Sequence, residues 1–313
     1  MDHNAPSQVL ARPGVAPRPR SVHTVVMTPG LPQDLVVRAM TDDGAFRVVA
    51  ARTTQLTQTV VNLQQAQGQC VGHCGDLLTS AVLIRETMAP NQRVQAILTN
   101  ADRSARLVAD AHPGGGTRGL LTLIGDDCRI ELQAAQLEVM RTMYSGQPHR
   151  GVVEVPPQGG VSEAVMAYMA TSEQVASMIA LATVEQAGAI QVSGGYLVQL
   201  LPEVGRAPLE IMAARLQDFQ QIGPLLSQLD GDPKALISEI LYGMPYTILE
   251  EESPVNFQCT CSAIRVLSSL ATLGRDDLAE MVAAGEAIDV NCDYCNQTYS
   301  VSPRQLGGLL DAS

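Results

Sequence analysis

The hydrophobic pattern divides the chain near Pro202. Before it, runs with period two alternate with a few helical ones; after it, apolar residues recur at three and four. Residues 35–40 and 46–50 read as strands around an Asp42-Asp43-Gly44 hairpin turn. Leu56, Val60 and Leu63 mark one face of a helix over 53–67, and the apolar-rich stretch 71–87 predicts a second, largely buried helix. Residues 94–98, 105–109, 118–123 (after the Pro113–Gly116 turn), 136–141 and 150–155 read as strands. A helix over 162–171 with Ser162 as N-cap follows. Strands are then expected over 175–184, 189–192 and 196–201, with Gly194-Gly195 as a close turn. Beyond Pro202, residues 207–243 form helical pieces split at Gly223-Pro224 and Gly231-Asp232-Pro233, and such short helices must pack on something to persist. Glu250-Glu251-Glu252 reads as a solvated connector. Two last helices are expected over 262–273 and 276–284.

These elements predict an α+β protein. A disordered tail (1–28), rich in Pro and Arg, leads into an α+β core domain (29–202) of mixed helix and sheet. A helical linker (203–252) and a small C-terminal Cys₄ zinc domain (253–313) follow. An organellar transit peptide is the lesser reading of the tail. Apolar residues make up 46% of the 313, with no Trp and three Phe, so the core must be built from Val, Leu, Ile, Ala and Met. A net charge of −12 repels phosphate backbones and argues against nucleic acid as a partner. No apolar run is long enough for a membrane span, and no stretch has the layout of a secretory signal. Seven cysteines without such a signal fit a reducing, cytoplasmic location.

Four of those cysteines fall in two short pairs, Cys259-Thr260-Cys261 and Cys292-Asp293-Tyr294-Cys295. Thiols at this spacing can close a tetrahedral site on one Zn²⁺ in the reduced protein. Cys-x-x-Cys is a common knuckle. Cys-x-Cys is less so: alternate side chains of a regular strand point to opposite faces, so both sulfurs reach one ion only if the backbone bends. On the residues alone the site reads as a structural zinc knot or as a redox switch. Cys70 and Cys74, with His73 between them, read as core packing rather than an incomplete metal triad. Cys128 stands at a strand edge with no base beside it. An enzyme would need an open coordination position or a paired base. Four Cys close the site, and the five His form no Ser/His/Asp constellation, so no catalytic residues are expected.

Cys259-Thr260-Cys261-Ser262, the spacer with Ser269-Leu270-Ala271-Thr272-Leu273-Gly274-Arg275, and Cys292-Asp293-Tyr294-Cys295-Asn296 with Tyr299 resemble the zinc domain of the heat-shock protein 33 family, the 33 kDa chaperonins. Thr41-Asp42-Asp43-Gly44 with Arg47, Gly116-Thr117-Arg118-Gly119, Ser172-Glu173-Gln174 and the segment from Gly194 to Pro202 are similar to further motifs of that family. The resemblance runs from about residue 34 to 310. It implies a redox-regulated, ATP-independent holdase. Cys259, Cys261, Cys292 and Cys295 hold one Zn²⁺ in the inactive reduced form. Oxidation gives the disulfides Cys259–Cys261 and Cys292–Cys295, releases zinc, unfolds the C-terminal switch and exposes a surface for unfolded client proteins. The family's active form is a homodimer. The competing reading is a structural zinc protein acting as an interaction adaptor, without a switch.

Overall fold

The computed structural model of the protein describes residues 23–24, 32–125, 128–142, 146–201 and 206–312. In chain order, β1 (His23–Thr24) precedes the hairpin of β2 (Leu35–Thr41) and β3 (Phe46–Arg52). Helices α1 (Thr54–Gln64) and α2 (Gln69–Glu86) follow. Next come β4 (Val94–Thr99), β5 (Ala105–Ala111), β6 (Gly116–Leu123), β7 (Gln136–Thr142) and β8 (Pro148–Glu154). Helix α3 (Val161–Thr171) leads to β9 (Ser177–Gln186) and β10 (Ala189–Leu200). Then α4 (Arg206–Leu216), α5 (Gly223–Gln228) and α6 (Pro233–Ile240) run into β11 (Tyr246–Pro254) and β12 (Asn256–Cys259). The C-terminal part is α7 (Ala263–Leu270), α8 (Arg275–Ala284), β13 (Ile288–Asn291), β14 (Thr298–Val301) and α9 (Pro303–Ala312). This is the α+β mixture that the periodicities predict.

Two large sheets carry the fold. One is ordered β11-β2-β3-β10-β9, with every neighbour antiparallel. The other is ordered β1-β12-β6-β5-β4-β7-β8 and is antiparallel except where β12 runs parallel to β6. Helix α2 touches strands of both sheets. It is apolar or small around most of its circumference, as a helix buried between layers must be. Gly75 sets its approach to β9, because a Cβ there would lie 2.2 Å from Thr183 Oγ1. Helix α1 begins without a side-chain cap from Thr53. The buried carboxylate of Asp34 substitutes, its Oδ2 accepting from the Leu56 N–H at 2.8 Å.

The far face of the five-stranded sheet is covered by the linker helices. Met212, Leu216, Ile222, Leu226, Leu236, Ile237, Ile240 and Leu241 pack with Val37, Ala39, Val48, Ala50, Val192, Tyr196 and Val198 in a second core. That sheet is therefore what these short helices pack on.

Three local expectations are corrected. Gly194-Gly195 is not a turn but the middle of β10. A Cβ on Gly194 would lie 2.5 Å from the Ala51 carbonyl, and one on Gly195 2.5 Å from that of Ala180, so the pair serves close approach of neighbouring strands. Ser162 does not cap α3. Gly160 does, its N–H donating to Glu163 Oε2 at 2.6 Å, while Ser162 Oγ accepts from the Leu181 N–H at 3.1 Å and ties the helix to β9. Glu250-Glu251-Glu252 is part of β11, an edge strand paired to β2, with its register shifting between Leu249 and Ser253. Of the tail, His23–Thr24 pair with Cys259 and Gln258; the rest of 1–28 lies outside the described residues.

Candidate metal centre

The first cysteine pair sits at the end of a sheet strand. β12 lies beside β6 because Gly115 and Gly116 leave room for it. A Cβ on Gly115 would lie 1.8 Å from the Pro254 carbonyl, and one on Gly116 1.9 Å from Gln258 Oε1. The strand stops at Cys259, and α7 starts at Ala263 with Ser262 Oγ accepting from the Arg265 N–H at 3.3 Å. The bend required for both sulfurs of Cys-x-Cys to face one point is this strand-to-helix corner.

The second pair lies between β13 and β14. The N–H groups of Cys295 and Asn296 donate to the Cys292 carbonyl at 3.3 and 2.8 Å, and Cys292 donates to the Gln297 carbonyl at 2.9 Å. Asn296 takes φ 57°, a left-handed conformation that Asn tolerates better than most residues. The result is a tight knuckle that presents two sulfurs on one side.

All four sulfurs lie within 4.8 Å of one another. Cys259 Sγ is 3.7 Å from Cys292 Sγ, and Cys261 Sγ is 3.4 Å from Cys295 Sγ. A tetrahedron with metal–sulfur bonds of about 2.3 Å has edges of about 3.8 Å. The donor set therefore fits a tetrahedral ion that favours thiolates, as Zn²⁺ does. The electrostatics agree. Burial and the charge of Cys259 push the Cys261 thiol up, and burial with both neighbouring thiols pushes Cys295 up. Sulfurs this close need protons, a cation or disulfide bonds to share the space.

The seven-stranded sheet holds the site from below. Arg118 on β6 donates from Nη1 to Cys259 Sγ at 3.7 Å and lies over the Tyr294 ring, 4.0 Å from its centroid. Burial opposes ionisation of Cys259, but hydrogen bonds from the Cys261 backbone, the Cys261 thiol and Arg118 hold its thiol below the ordinary range. Arg118 is anchored in turn by fully buried Asp110 at 2.9 Å, which also binds Arg93 at 2.8 Å and His112 at 3.2 Å. Burial alone would raise the Asp110 carboxyl; hydrogen bonds and charge from His112 and Arg93 outweigh it and hold the group far below the usual carboxylate range. On the other side, Tyr299 donates its O–H to Cys261 Sγ at 3.1 Å.

Gln64, at the end of α1, joins the second cysteine knuckle to β6. Its amide donates to the carbonyls of Asp293 and Tyr294 at 2.9 and 3.3 Å, while its Oε1 accepts from the Leu121 N–H of β6 at 3.0 Å. Asn296 Nδ2 reaches the Leu63 carbonyl at 2.7 Å.

The structure thus brings together Cys259, Cys261, Cys292 and Cys295, the four positions that the spacing predicts. Sequence reading missed Asp110 and Gln64, and it placed Arg118 and Tyr294 in family-like motifs without assigning either a role at the site. Asp110 and Arg118 are directly opposed on β5 and β6, and charged residues within apolar strands are a usable signal. A Gln at a helix end gives none. Cys70 is buried as expected but forms a disulfide with Cys128, and Cys74 is buried and free.

A mixed two-sheet core with four clustered cysteines seated on one sheet defines an α+β protein whose C-terminal part could hold a metal ion. The Hsp33 protein family matches residues 34–302, and the chain belongs to that family. The 33 kDa chaperonin of Syntrophotalea carbinolica is 32% identical over 289 residues, covering 89% of this chain and 99% of its own length. That of Acaryochloris marina is 30% identical over 291 residues, covering 89% and 97%. The crystal structure of the 33 kDa chaperonin from Thermotoga maritima superposes with a TM-score of 0.78 at 19% identity, covering 90% of this chain and 99% of that one, a likeness of fold.

Proposed function

We propose that this protein is a redox-regulated, ATP-independent holdase of the cytoplasm. It is inactive when reduced and zinc-loaded, and after oxidation it binds unfolding client proteins. Family membership and the naming of its relatives as chaperonins support the chaperone part of the reading. The activity is binding, with no catalytic step.

The observation that carries the switch is how little else holds the C-terminal module. Beyond Cys261, the buried apolar side chains among the described residues are Leu278, Val301 and Leu306. α7 buries none of its residues. When bound, Zn²⁺ supplies the cross-link that such a unit lacks, on the order of 10–16 kcal/mol of apparent binding free energy. The chain's own residues supply the release. Each pair of thiolates gives up two electrons to an oxidant such as hypochlorous acid, which takes one proton from solvent and leaves as chloride and water, forming Cys259–Cys261 and Cys292–Cys295. Both disulfides are local to one half of the clasp. They use up all four donors and leave nothing to tie Cys259 and Cys261 to the knuckle at 292–295. The module then unfolds, freeing β12 from β6 and loosening β11, whose register is already irregular. Loss of β11 uncovers the edge of β2 and the linker helices packed beside it, and the apolar surface so released holds clients and a second copy of the chain.

The test is suppression of client aggregation by the zinc-loaded protein before and after hypochlorite, with released zinc followed in the same tube. Protection that appears as zinc leaves, and that reductant reverses, is the expected result. Zinc release without protection would leave only the structural-zinc adaptor.

A further inference from the structure

Cys70 opens α2, and Cys128 lies in the connection after β6. They are distant in sequence, 58 residues apart, yet their Cα atoms are 6.0 Å apart and the structure joins them as a disulfide. That separation is one two thiols bridge without moving the backbone. Neither residue belongs to the four-cysteine cluster. Both arms of the bridge run beside the seat of the metal module. A short way before Cys70, Gln64 holds the carbonyls of Asp293 and Tyr294; a short way before Cys128, Leu121 donates its N–H to the same Gln64 side chain. The bridge thus ties the α1–α2 corner to the outgoing end of β6, the two segments that Gln64 also joins.

We propose that Cys70 and Cys128 are a second redox couple, chemically separate from the four clasp cysteines. It is a dithiol in a reducing compartment and closes under oxidant to fix the seat while the module it carries comes apart. The burial of the two sulfurs sets the order of events. Cys70 is fully buried and Cys128 half-buried, so Cys128 meets the oxidant first. With hydrogen peroxide, the Cys128 thiolate attacks one peroxide oxygen, the O–O bond breaks and hydroxide leaves, giving a sulfenic acid. The Cys70 thiol then attacks that sulfur. The S–S bond forms, the S–O bond breaks and water leaves, so that two thiols and one peroxide give one disulfide and two waters. A small thiol reductant reverses the step at the Cys128 sulfur. Cys74, one turn along α2, stays out of the exchange: it is buried, and burial together with the charge of Asp76 pushes its thiol up to about 12.

The experiment uses the full-length, zinc-loaded, reduced protein and stepped doses of hydrogen peroxide. Free thiols are trapped with N-ethylmaleimide, and non-reduced peptides are read by mass spectrometry. A peptide linking Cys70 to Cys128 is expected, reversible by dithiothreitol and titrating with the glutathione ratio. In Cys128→Ser the peptide should vanish, zinc release should stay within about twofold, and the oxidised core should melt about 10 °C lower for want of the long loop closure. The couple is overturned if both thiols remain alkylatable at doses that oxidise Cys259, Cys261, Cys292 and Cys295, if Cys128 is recovered joined to Cys74, or if the bond persists at every glutathione ratio. An unchanged melting point in Cys128→Ser overturns its role in fixing the seat. None of these readouts depends on holdase activity.

Discussion

At the scale of single residues, buried charge decides most. Asp110 has no exposure and is satisfied by Arg93, Arg118 and His112. Removing one partner leaves an under-compensated buried carboxylate. Arg118→Met should therefore cost about 3 kcal/mol in chemical denaturation. It should also weaken metal retention several-fold against a chelator, since Arg118 binds both Cys259 and Tyr294. A variant with unchanged retention would show that Arg118 serves the core alone. Asp34 gives a pH signature of the opposite kind. Burial raises its carboxyl to about 7 in the folded protein, against an ordinary value of 3.8. A raised folded pKa means the native state holds the proton more tightly. The associated stability is complete below about pH 4 and is lost as pH rises through about 7. Burial pushes Asp76 up to about 6, with the same sign. Thermal melts should fall across that window, and Asp34→Asn should flatten the curve while keeping an acceptor for the Leu56 N–H.

At the scale of elements, placement of β12 is the decisive event, because it delivers Cys259 to the site. It depends on two glycines, and Gly115 also requires φ +83°. Gly115→Val should displace β12 from β6, reduce zinc stoichiometry at equilibrium well below one per chain, and leave helix content by circular dichroism close to the parent value. Full zinc loading in that variant would mean the clasp assembles without the strand. Most elements were legible in advance. The hairpin of β2 and β3, helices α1 and α2, and strands β4 to β8 follow directly from apolar spacing. Strands β12, β13 and β14 and helix α9 were not read from the pattern, and three further readings were overturned. Gly194-Gly195 carries the local signature of a turn, but neighbouring strands require its bare backbone inside β10. Ser162 looks like a cap, but β9 recruits its hydroxyl. The acidic run 250–252 looks like a connector, but it lies in an edge strand, where charge is tolerated.

At the scale of the whole molecule, stability is uneven by construction. Two cores of buried side chains support the two large sheets, while beyond Cys261 the described residues bury few apolar side chains. Chelation under reducing conditions should remove amide-exchange protection from α7, α8, β13 and β14, and leave it in α2, β3 and β10. Loss of protection throughout the chain would mean that module and core unfold as one unit. The linker helices are buried against the five-stranded sheet rather than against the module. On the proposed switch, their release would run through β11, the strand continuous with both.

The sequence by itself determined the periodic elements, the α+β mixture and the four clasp cysteines, because apolar spacing and thiol spacing are local properties of the chain. Only the tertiary structure decided what those elements meet. The linker helices cover a sheet; Arg118 and Asp110 support a thiol far away in sequence; Gln64 pins the knuckle; and Cys70 finds Cys128. Each of these is a pairing between distant segments. A single side chain such as Gln64 or Cys128 carries no mark of its partner until the backbone has brought the two together.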